Sequence, residues 1–423
     1  MWLLDKMLRA LIRKGQLVLT DHDGKVYTYG DLSADPVRIR LTDKGAALHI
    51  AKDPRVGAGE AYMDGRLVIE PPHDVRDFIL FVMSQGSGEA VRARNPLRRA
   101  VDKLASKLDQ NNYRARAAKN VEHHYDLTRR FYELFLDADR QYTMAYWRDP
   151  NGTLEQAQLD KKALIAAKLR IEPGQGTGMR VLDIGSGWGG FGLFLNRHYG
   201  CEVLGVSLAP DQVRFANERA EAAGVADKVK FQLIDYRDVN TQFDRIASVG
   251  MFEHVGLNNY DEYFAKTWDL LAPDGIMLTH TIGRTKQSGA TDKWNRKYIF
   301  PGHYLPAVSE MSASLERTGW EIADLEMMRY HYAYTLAEWY RRATMHREEI
   351  EQLYDARFFR MWQFYLAGAE QGFRHGNLVN FQFQTVKQRS AIPNTRDYIE
   401  AEMLRLLAAE QAPEWHLERQ AAE

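Results

Sequence analysis

Hydrophobic and polar positions follow two different patterns along the chain. Short alternating runs, such as residues 25–28 and 37–41, lie between Asp-Gly and Lys-Gly pairs, and they predict strands joined by turns. A helix is predicted over residues 74–84. From Met179 onward, apolar strands alternate with helical segments, the pattern of a parallel sheet with helices on both faces. The patterning therefore predicts a small α+β domain over residues 1–90, ahead of a larger α/β domain.

The first fourteen residues have the spacing of an amphipathic helix. Its apolar side holds Trp2, Leu3, Leu4, Met7, Leu8, Leu11 and Ile12, and its flanks hold Lys6, Arg9, Arg13 and Lys14. The segment has neither the long apolar centre nor the cleavage site of a signal peptide. Two interpretations stay open: a helix that lies in an anionic membrane surface, or a helix that packs on the next domain.

A basic connector follows the small domain. Residues 91–120 hold nine Lys and Arg residues against two Asp. Such a run favours contact with a bilayer surface, although a solvated linker helix has the same composition. We therefore predict an N-terminal α+β domain over residues 1–90, a basic linker over 91–120 and a main domain over 121–423.

Composition narrows the function classes. The 423 residues are 45% hydrophobic and 27% charged, close to the average of globular proteins, which excludes a disordered or fibrous chain. Lys and Arg number 56 against 57 Asp and Glu, so net charge does not indicate a nucleic-acid partner. The single cysteine, Cys201, excludes an intramolecular disulfide and a multi-cysteine zinc site. No apolar run approaches the roughly eighteen residues of a membrane-spanning helix.

The main domain begins with a glycine-rich turn. The predicted strand 180–184 runs into Gly-Ser-Gly-Trp-Gly-Gly at 185–190, where glycines let the backbone approach a ligand closely. Predicted strands at 201–206, 229–234 and 243–249 follow, and ligands of such sheets bind beyond the strand ends. A ligand with an amino-acid tail, a ribose and a purine fits these ends, so we predict S-adenosylmethionine rather than another nucleotide cofactor.

At this point the chain resembles the cyclopropane fatty acid synthases. The motifs that carry the resemblance are GEAYMDG at 59–65, HYD at 124–126, QYTMAYW at 141–147, DYRD at 235–238, MFEHVG at 251–256, HTIG at 280–283 and KYIFPG at 297–302. The resemblance implies a Rossmann-like class I methyltransferase domain with added helices, preceded by a lipid-engaging domain over residues 1–90. It also implies S-adenosylmethionine and bicarbonate as cofactors and an unsaturated membrane phospholipid as substrate. A cytoplasmic protein at the inner membrane face, a homodimer and a possible partner lipid-modifying enzyme are further implications.

The resemblance also assigns site residues. The implied cofactor contacts are Tyr142, Thr143, Asp183, Ile184, Gly185, Ser186, Gly187, Trp188, Gly189, Gly190, Ser207, Gln212, Asp235, Tyr236 and Arg237. The implied bicarbonate site consists of Glu253, His280 and Tyr332, with backbone groups of Met144 and Ile282. No metal is expected.

The expected chemistry follows from the weak nucleophilicity of an alkene. A sulfonium methyl must be held in line with the double bond in a dry pocket, and a base must then remove a proton. Proton loss from the added methyl closes a cyclopropane, whereas loss from a neighbouring carbon leaves a methylene- or methyl-branched chain. An inactive lipid-binding paralogue and a methyltransferase for a soluble small molecule are the other hypotheses.

Three positions depart from the family pattern. Ser186 stands where many relatives carry cysteine, and Thr128-Arg129-Arg130 replaces the usual Gly-Asn-Asp. Ala369 stands where many relatives carry another cysteine, so ring closure is less strongly implied than methyl transfer. Aromatic residues at helical spacing within 358–365 are expected to pack in a core rather than form a cation cage.

Overall fold

The computed structural model describes residues 1–85, 127–286 and 292–411. Its described residues form two compact units. The first consists of residues 1–85, 292–301 and 336–377, and the second of residues 127–286, 302–335 and 378–411. The predicted basic linker and the HYD motif lie outside the described residues, and the predicted domain limits stay a prediction.

The strands and helices alternate along the second unit as the patterning predicts. The strands are β1 (Gln16–Thr20), β2 (Val26–Gly30), β3 (Val37–Leu41), β4 (Leu67–Ile69), β5 (Arg180–Ile184), β6 (Glu202–Ser207), β7 (Val229–Leu233), β8 (Phe243–Val249), β9 (Leu271–Arg284), β10 (Glu321–Met328) and β11 (Leu378–Val386). The α-helices are α1 (Trp2–Leu11), α2 (Ala46–Lys52), α3 (Pro54–Met63), α4 (Val75–Ser84), α5 (Arg129–Glu133), α6 (Leu154–Leu169), α7 (Gly190–Tyr199), α8 (Pro210–Ala222), α9 (Tyr260–Leu270), α10 (Lys293–Tyr298), α11 (Val308–Arg317), α12 (His331–Met345), α13 (Arg347–Leu353), α14 (Ala356–Arg374) and α15 (Asp397–Glu410).

The first unit is built on a four-stranded sheet in the order β2-β1-β3-β4. The strand β1 pairs antiparallel with β2 and parallel with β3. Alternation is clear in β3, where Val37, Ile39 and Leu41 are buried and the two arginines between them are exposed. The predicted strands and the predicted helix over 74–84 are confirmed, since α4 begins after Asp74, whose carboxylate caps the helix.

The helix α1 divides its apolar residues between two environments. Leu4 and Leu8 are buried in the core of the first unit. Trp2 is 74% exposed and Leu3 is 43% exposed. The packing interpretation is therefore confirmed for the Leu4 and Leu8 side of the helix, and the exposed side keeps the membrane interpretation open.

The aromatic residues of α14 pack as expected. Phe359, Trp362 and Tyr365 are buried, and the ring of Phe364 lies 4.8 Å from that of Trp294 in α10. Two arginines also converge on the buried Glu370 of this helix. The helix α14 therefore contributes its aromatic side chains to the interior of the first unit.

The second unit is built on a seven-stranded sheet in the order β10-β11-β9-β8-β5-β6-β7. The strands β9, β8, β5, β6 and β7 are parallel neighbours, and β11 runs antiparallel to both β9 and β10. This arrangement confirms the predicted Rossmann-like sheet. Buried aromatic residues such as Phe252, Phe264 and Phe381 belong to one hydrophobic core cluster of this unit.

The environment of the single cysteine and the lengths of the helices bear on thiol reactivity and on membrane insertion. Cys201 is buried directly before β6, and burial raises the pKa of its thiol to about 12, so the thiol is unreactive. Among the described residues, no helix is both long and apolar enough to cross a bilayer.

Candidate active site

A cavity lies at the carboxyl ends of β5, β6 and β8. Every predicted cofactor residue lines it except Gly189 and Gly190. This is the edge at which open α/β sheets bind ligands. Several lining residues were not assigned to the cofactor from the sequence, namely Arg140, Gln141, Lys161, Ile165, Phe191, His254 and Asn259.

The glycine-rich turn leaves room and polar groups for a ligand. Gly187 has a φ of +53°, and a side chain there would project into open space. Ser186 Oγ and Trp188 Nε1 are buried without a hydrogen-bond partner in the described part of the chain. Because buried polar atoms are normally paired, the turn fits a polar ligand such as S-adenosylmethionine.

Gly190 has a different environment from the other glycines of the turn. A Cβ at this position would collide with the Asp139 carboxylate. Asp139 accepts hydrogen bonds from Lys162 Nζ at 2.7 Å and Arg219 Nη2 at 2.5 Å. Burial opposes ionisation of Asp139, but the two cations outweigh it and hold its pKa well below the usual range. The absent side chain thus makes room for an ion-paired carboxylate at the start of α7.

A buried lysine connects the cavity to the QYTMAYW segment. Lys161 Nζ donates to Gln141 Oε1 at 2.8 Å and to Thr143 Oγ1 at 2.7 Å. Burial lowers the pKa of Lys161 to about 7, and burial also raises the pKa of Asp183 to about 7 against the effect of Lys161. In its protonated form Lys161 carries three hydrogens, so the third can be donated to a group bound in the cavity.

Hydrogen bonds join two residues of the DYRD motif. Arg237 donates to both carboxylate oxygens of Asp235, from Nε at 2.9 Å and from Nη2 at 2.6 Å. The Asp235 carboxylate also accepts from the Arg237 backbone N–H and caps the short helix that follows. Arg237 therefore orients Asp235 at the cavity wall.

Glu253 is a buried carboxyl group with one unsatisfied oxygen. Its Oε1 accepts a hydrogen bond from the Ile282 N–H at 2.6 Å. Its Oε2 is buried and has no hydrogen-bond partner among the described residues. Burial raises the pKa of Glu253 to about 7, although the Ile282 N–H opposes the shift. The carboxyl group can therefore exchange a proton near neutral pH.

His280 lies inside the sheet near the end of β8. Its carbonyl accepts from the Gly250 N–H at 2.9 Å, and its side chain is 1% exposed. Its Nδ1 lies 3.1 Å from Gln382 Nε2 and its Nε2 lies 3.2 Å from Asn380 Nδ2. Burial lowers the pKa of His280 to about 3, and nearby Lys161 adds to this effect, so the ring is neutral.

Tyr332 and Met144 lie in adjoining segments. Tyr332 is buried in the first turn of α12. The Ala145 N–H, one residue after Met144, donates to Thr335 Oγ1 in the same helix at 3.0 Å. Ile282 N–H bonds Glu253 instead of facing open space. Their assignment to a bicarbonate site stays a prediction.

The departure at Arg129 has a local explanation. Thr128 caps α5 through the Phe131 N–H. The guanidinium of Arg129 lies 4.3 Å from the ring centre of Phe215, and that of Arg140, which lines the cavity, also lies at 4.3 Å. Two cations on one aromatic ring stabilise the segment before Gln141.

Comparison with known proteins identifies the family. A family model described as mycolic acid cyclopropane synthetase matches residues 112–383. The chain belongs to this family. A protein of Escherichia coli K12 named cyclopropane-fatty-acyl-phospholipid synthase is 37% identical over 347 residues, which are 82% of this chain and 87% of that protein. The tuberculostearic acid methyltransferase of Mycobacterium tuberculosis is 31% identical over 394 residues, 91% of each chain.

Solved structures agree with this membership. A mycolic acid cyclopropane synthase in complex with SAH and CTAB superposes with a TM-score of 0.59 at 29% identity, covering 63% of this chain and 97% of that one. The predicted family and fold are confirmed. The chain is an S-adenosylmethionine-dependent enzyme of the cyclopropane synthase type.

Sequence reasoning missed the polar residues that support the site. Asp139, Lys161 and Lys162 lie in segments without a glycine or motif signal. The sequence did contain a signal for Asn380 and Gln382, because β11 alternates amides with Phe381 and Phe383, and every residue of this strand after Leu378 is buried. Polar side chains on one face of a fully buried strand require partners, which indicates a function.

Proposed function

We propose that this protein transfers a one-carbon unit from S-adenosylmethionine to the cis double bond of an unsaturated phospholipid acyl chain and closes a cyclopropane ring. The observation that carries the proposal is the 37% identity to the Escherichia coli cyclopropane-fatty-acyl-phospholipid synthase over 82% of this chain. The cavity at the strand ends supports it, because its lining fits a nucleoside with an amino-acid tail.

When bound, S-adenosylmethionine supplies an electrophilic methyl group. In the proposal, the absence of a side chain at Gly187 lets the cofactor approach the backbone of the turn closely. Lys161 and Thr143 bind the amino-acid end of the cofactor. Asp235, held by Arg237, binds at the ribose side. Over the whole reaction the acyl chain gains a methyl group and loses one proton from that methyl, and the sulfur leaves with its electron pair.

Glu253 is proposed to orient the group that accepts the proton lost from the added methyl. Its unpartnered Oε2 fits a bound bicarbonate, because the single O–H of bicarbonate can donate a hydrogen bond to this oxygen. Bicarbonate supplies a proton acceptor in a site that excludes water. Glu253 orients that acceptor, and Ile282 keeps the Glu253 carboxyl fixed through its N–H. His280, Tyr332 and Met144 are proposed as the remaining partners.

The proposed substrate requires access to a membrane. We propose peripheral binding at the cytoplasmic face, with Trp2 and Leu3 as contacts, because both are exposed on a helix that also carries Lys6 and Arg9. A homodimer and a partner lipid-modifying enzyme stay predictions from the family resemblance.

A branched product is the second candidate. The tuberculostearic acid methyltransferase matches a larger share of this chain, 91%, than the Escherichia coli synthase does, 82%. In this alternative the base removes the proton from a neighbouring carbon rather than from the added methyl. Ala369, in place of the cysteine of many relatives, is the sequence feature that favours it.

The test combines product analysis with controls for each alternative. The full chain is incubated with unsaturated phospholipid vesicles and S-adenosylmethionine labelled with ¹³C in the methyl group, and the acyl chains are analysed by NMR. We expect upfield cyclopropane signals, and vinylic methylene or branched-methyl signals would support the second candidate. Vesicles of saturated lipid are the matched control and should yield no product. Labelled product without any lipid would indicate a soluble substrate, and cofactor binding without turnover would indicate an inactive paralogue.

A further inference from the structure

A row of buried polar groups runs from α6 through β11 to β9. Lys168 Nζ is fully buried, donates to Gln382 Oε1 at 2.7 Å, and forms an ion pair with Glu326 at 2.5 Å. In the paired register of β9 and β11, Gln382 lies opposite His280 and Asn380 lies opposite Ile282. Residues directly opposite each other in an antiparallel pair share a face, so these side chains meet.

The hydrogen bonds decide which nitrogen of His280 carries the hydrogen. An ammonium can only donate, so Lys168 requires the oxygen of the Gln382 amide on its side. The amide nitrogen of Gln382 must then face His280 and donate to Nδ1, at 3.1 Å. A neutral imidazole has one donor and one acceptor nitrogen. With Nδ1 accepting, the hydrogen is on Nε2.

The Asn380 amide fits the same assignment. It lies 3.2 Å from His280 Nε2, and its Oδ1 has no other partner among the described residues. Since the two ends of an amide exchange by a half turn, the oxygen can face Nε2 and accept its hydrogen. That orientation satisfies both groups, whereas two amide donors facing one neutral ring would leave one of them unsatisfied.

We propose that Gln382, oriented by Lys168, is a positioning residue that holds His280 in the tautomer with its hydrogen on Nε2. The consequence is a fixed hydrogen-bond donor on His280, two residues before the Ile282 N–H that bonds Glu253. Asn380 accepts this hydrogen until a small anion replaces it. This inference rests on the proposed function for its catalytic consequence only. The tautomer itself can be measured without turnover.

The decisive variant is Gln382→Glu. A carboxylate is nearly isosteric with the amide but can only accept hydrogen bonds. It therefore favours a hydrogen on Nδ1 of His280, and the ring is no longer held in the tautomer with its hydrogen on Nε2. Gln384→Glu is the matched control, since Gln384 is buried two residues further on the same strand and bonds the Lys168 carbonyl and Tyr398 rather than His280. Asn380→Leu is a second variant, which should keep the hydrogen on Nε2 because Gln382 alone determines it.

The first readout is ¹⁵N NMR of the full chain labelled in histidine, with the His280 signals assigned by their loss in His280→Gln. We expect a protonated Nε2 and an unprotonated Nδ1 in the unmodified chain, in Gln384→Glu and in Asn380→Leu. We expect a protonated Nδ1 in Gln382→Glu. An unchanged tautomer in Gln382→Glu, or an equal change in Gln384→Glu, overturns the proposal.

The second readout is steady-state methyl transfer as bicarbonate is titrated into buffer depleted of carbon dioxide. Gln382→Glu should lower kcat by tenfold or more and leave the KM for S-adenosylmethionine within twofold. Asn380→Leu should lower the bicarbonate concentration needed for half-maximal rate. An altered tautomer with unaltered kcat would make the arrangement structural only and overturn the positioning role. If the unmodified chain shows no turnover with lipid, the proposed function fails while the NMR result still decides the tautomer.

Discussion

Replacing Glu253 by glutamine should make the protein more stable at alkaline pH while abolishing its activity. Burial raises the pKa of this carboxyl group from 4.5 to about 7, so the folded state binds its proton more tightly than the unfolded state does. A raised carboxyl pKa contributes stability below pH 4.5 that is lost as pH rises toward 7. Glutamine keeps an oxygen for the Ile282 N–H and carries no charge at any pH.

The magnitude follows from the two pKa values. An interval of about 2.5 pH units at about 1.4 kcal/mol each gives a cost of about 3.5 kcal/mol for the ionised form at pH 8. At pH 5 the difference between the two proteins should be within about 1 kcal/mol. For a unit of about 200 residues, about 3.5 kcal/mol corresponds to a rise in Tm of roughly 7 to 14 °C.

Thermal unfolding of both proteins at pH 5 and pH 8 measures the effect. Glu262→Gln, at an exposed position of α9, is the control and should show no pH-dependent gain. The same Glu253→Gln protein should bind S-adenosylhomocysteine normally and show turnover lowered by at least a hundredfold, about 2.7 kcal/mol. A Tm below that of the unmodified chain at pH 8, with no difference at pH 5, would refute the reasoning that burial destabilises the charged carboxyl.

Three further predictions concern other positions. Gly190→Ala should lower stability by about 1–3 kcal/mol, because the new methyl collides with the Asp139 carboxylate; a Tm equal to that of the unmodified chain would contradict this. Lys161→Met should weaken S-adenosylhomocysteine binding on the order of tenfold, about 1.4 kcal/mol, in isothermal titration calorimetry, and an unchanged Kd would remove the lysine from the cofactor site. Trp2→Ser should leave Tm nearly unchanged, within about 0.5 kcal/mol, and should reduce sedimentation with anionic vesicles; equal sedimentation would exclude this contact.

The sequence predicted the main sheet well because its signals are local. Short apolar strands, three of them followed by a glycine or an acidic residue, indicated β5, β6, β7 and β8 and a ligand site at their ends. The periodicity of the first helix could not reveal how its apolar residues divide between core and solvent, because that depends on the sheet against which Leu4 and Leu8 pack.

The supporting polar groups could not be predicted in the same way. Asp139 and Arg219 are eighty residues apart, and Lys168 and Gln382 are 214 residues apart. Their pairing depends on how the elements cross in space, which no periodicity encodes. For the same reason Gly190 was assigned to the cofactor from its motif, although the structure places it against a carboxylate.

The first helix has a consequence for how experiments on the N-terminus must be designed. Leu4 and Leu8 are 2% and 8% exposed, and Asp5 accepts a hydrogen bond from Tyr29 OH at 3.0 Å. The segment is therefore not a detachable module, since deleting it would uncover the apolar side of the small sheet. Loss of vesicle binding after truncation would report misfolding as readily as a lost lipid contact. Only point substitutions on the outward face, with the inward leucines intact, can separate folding from membrane attachment.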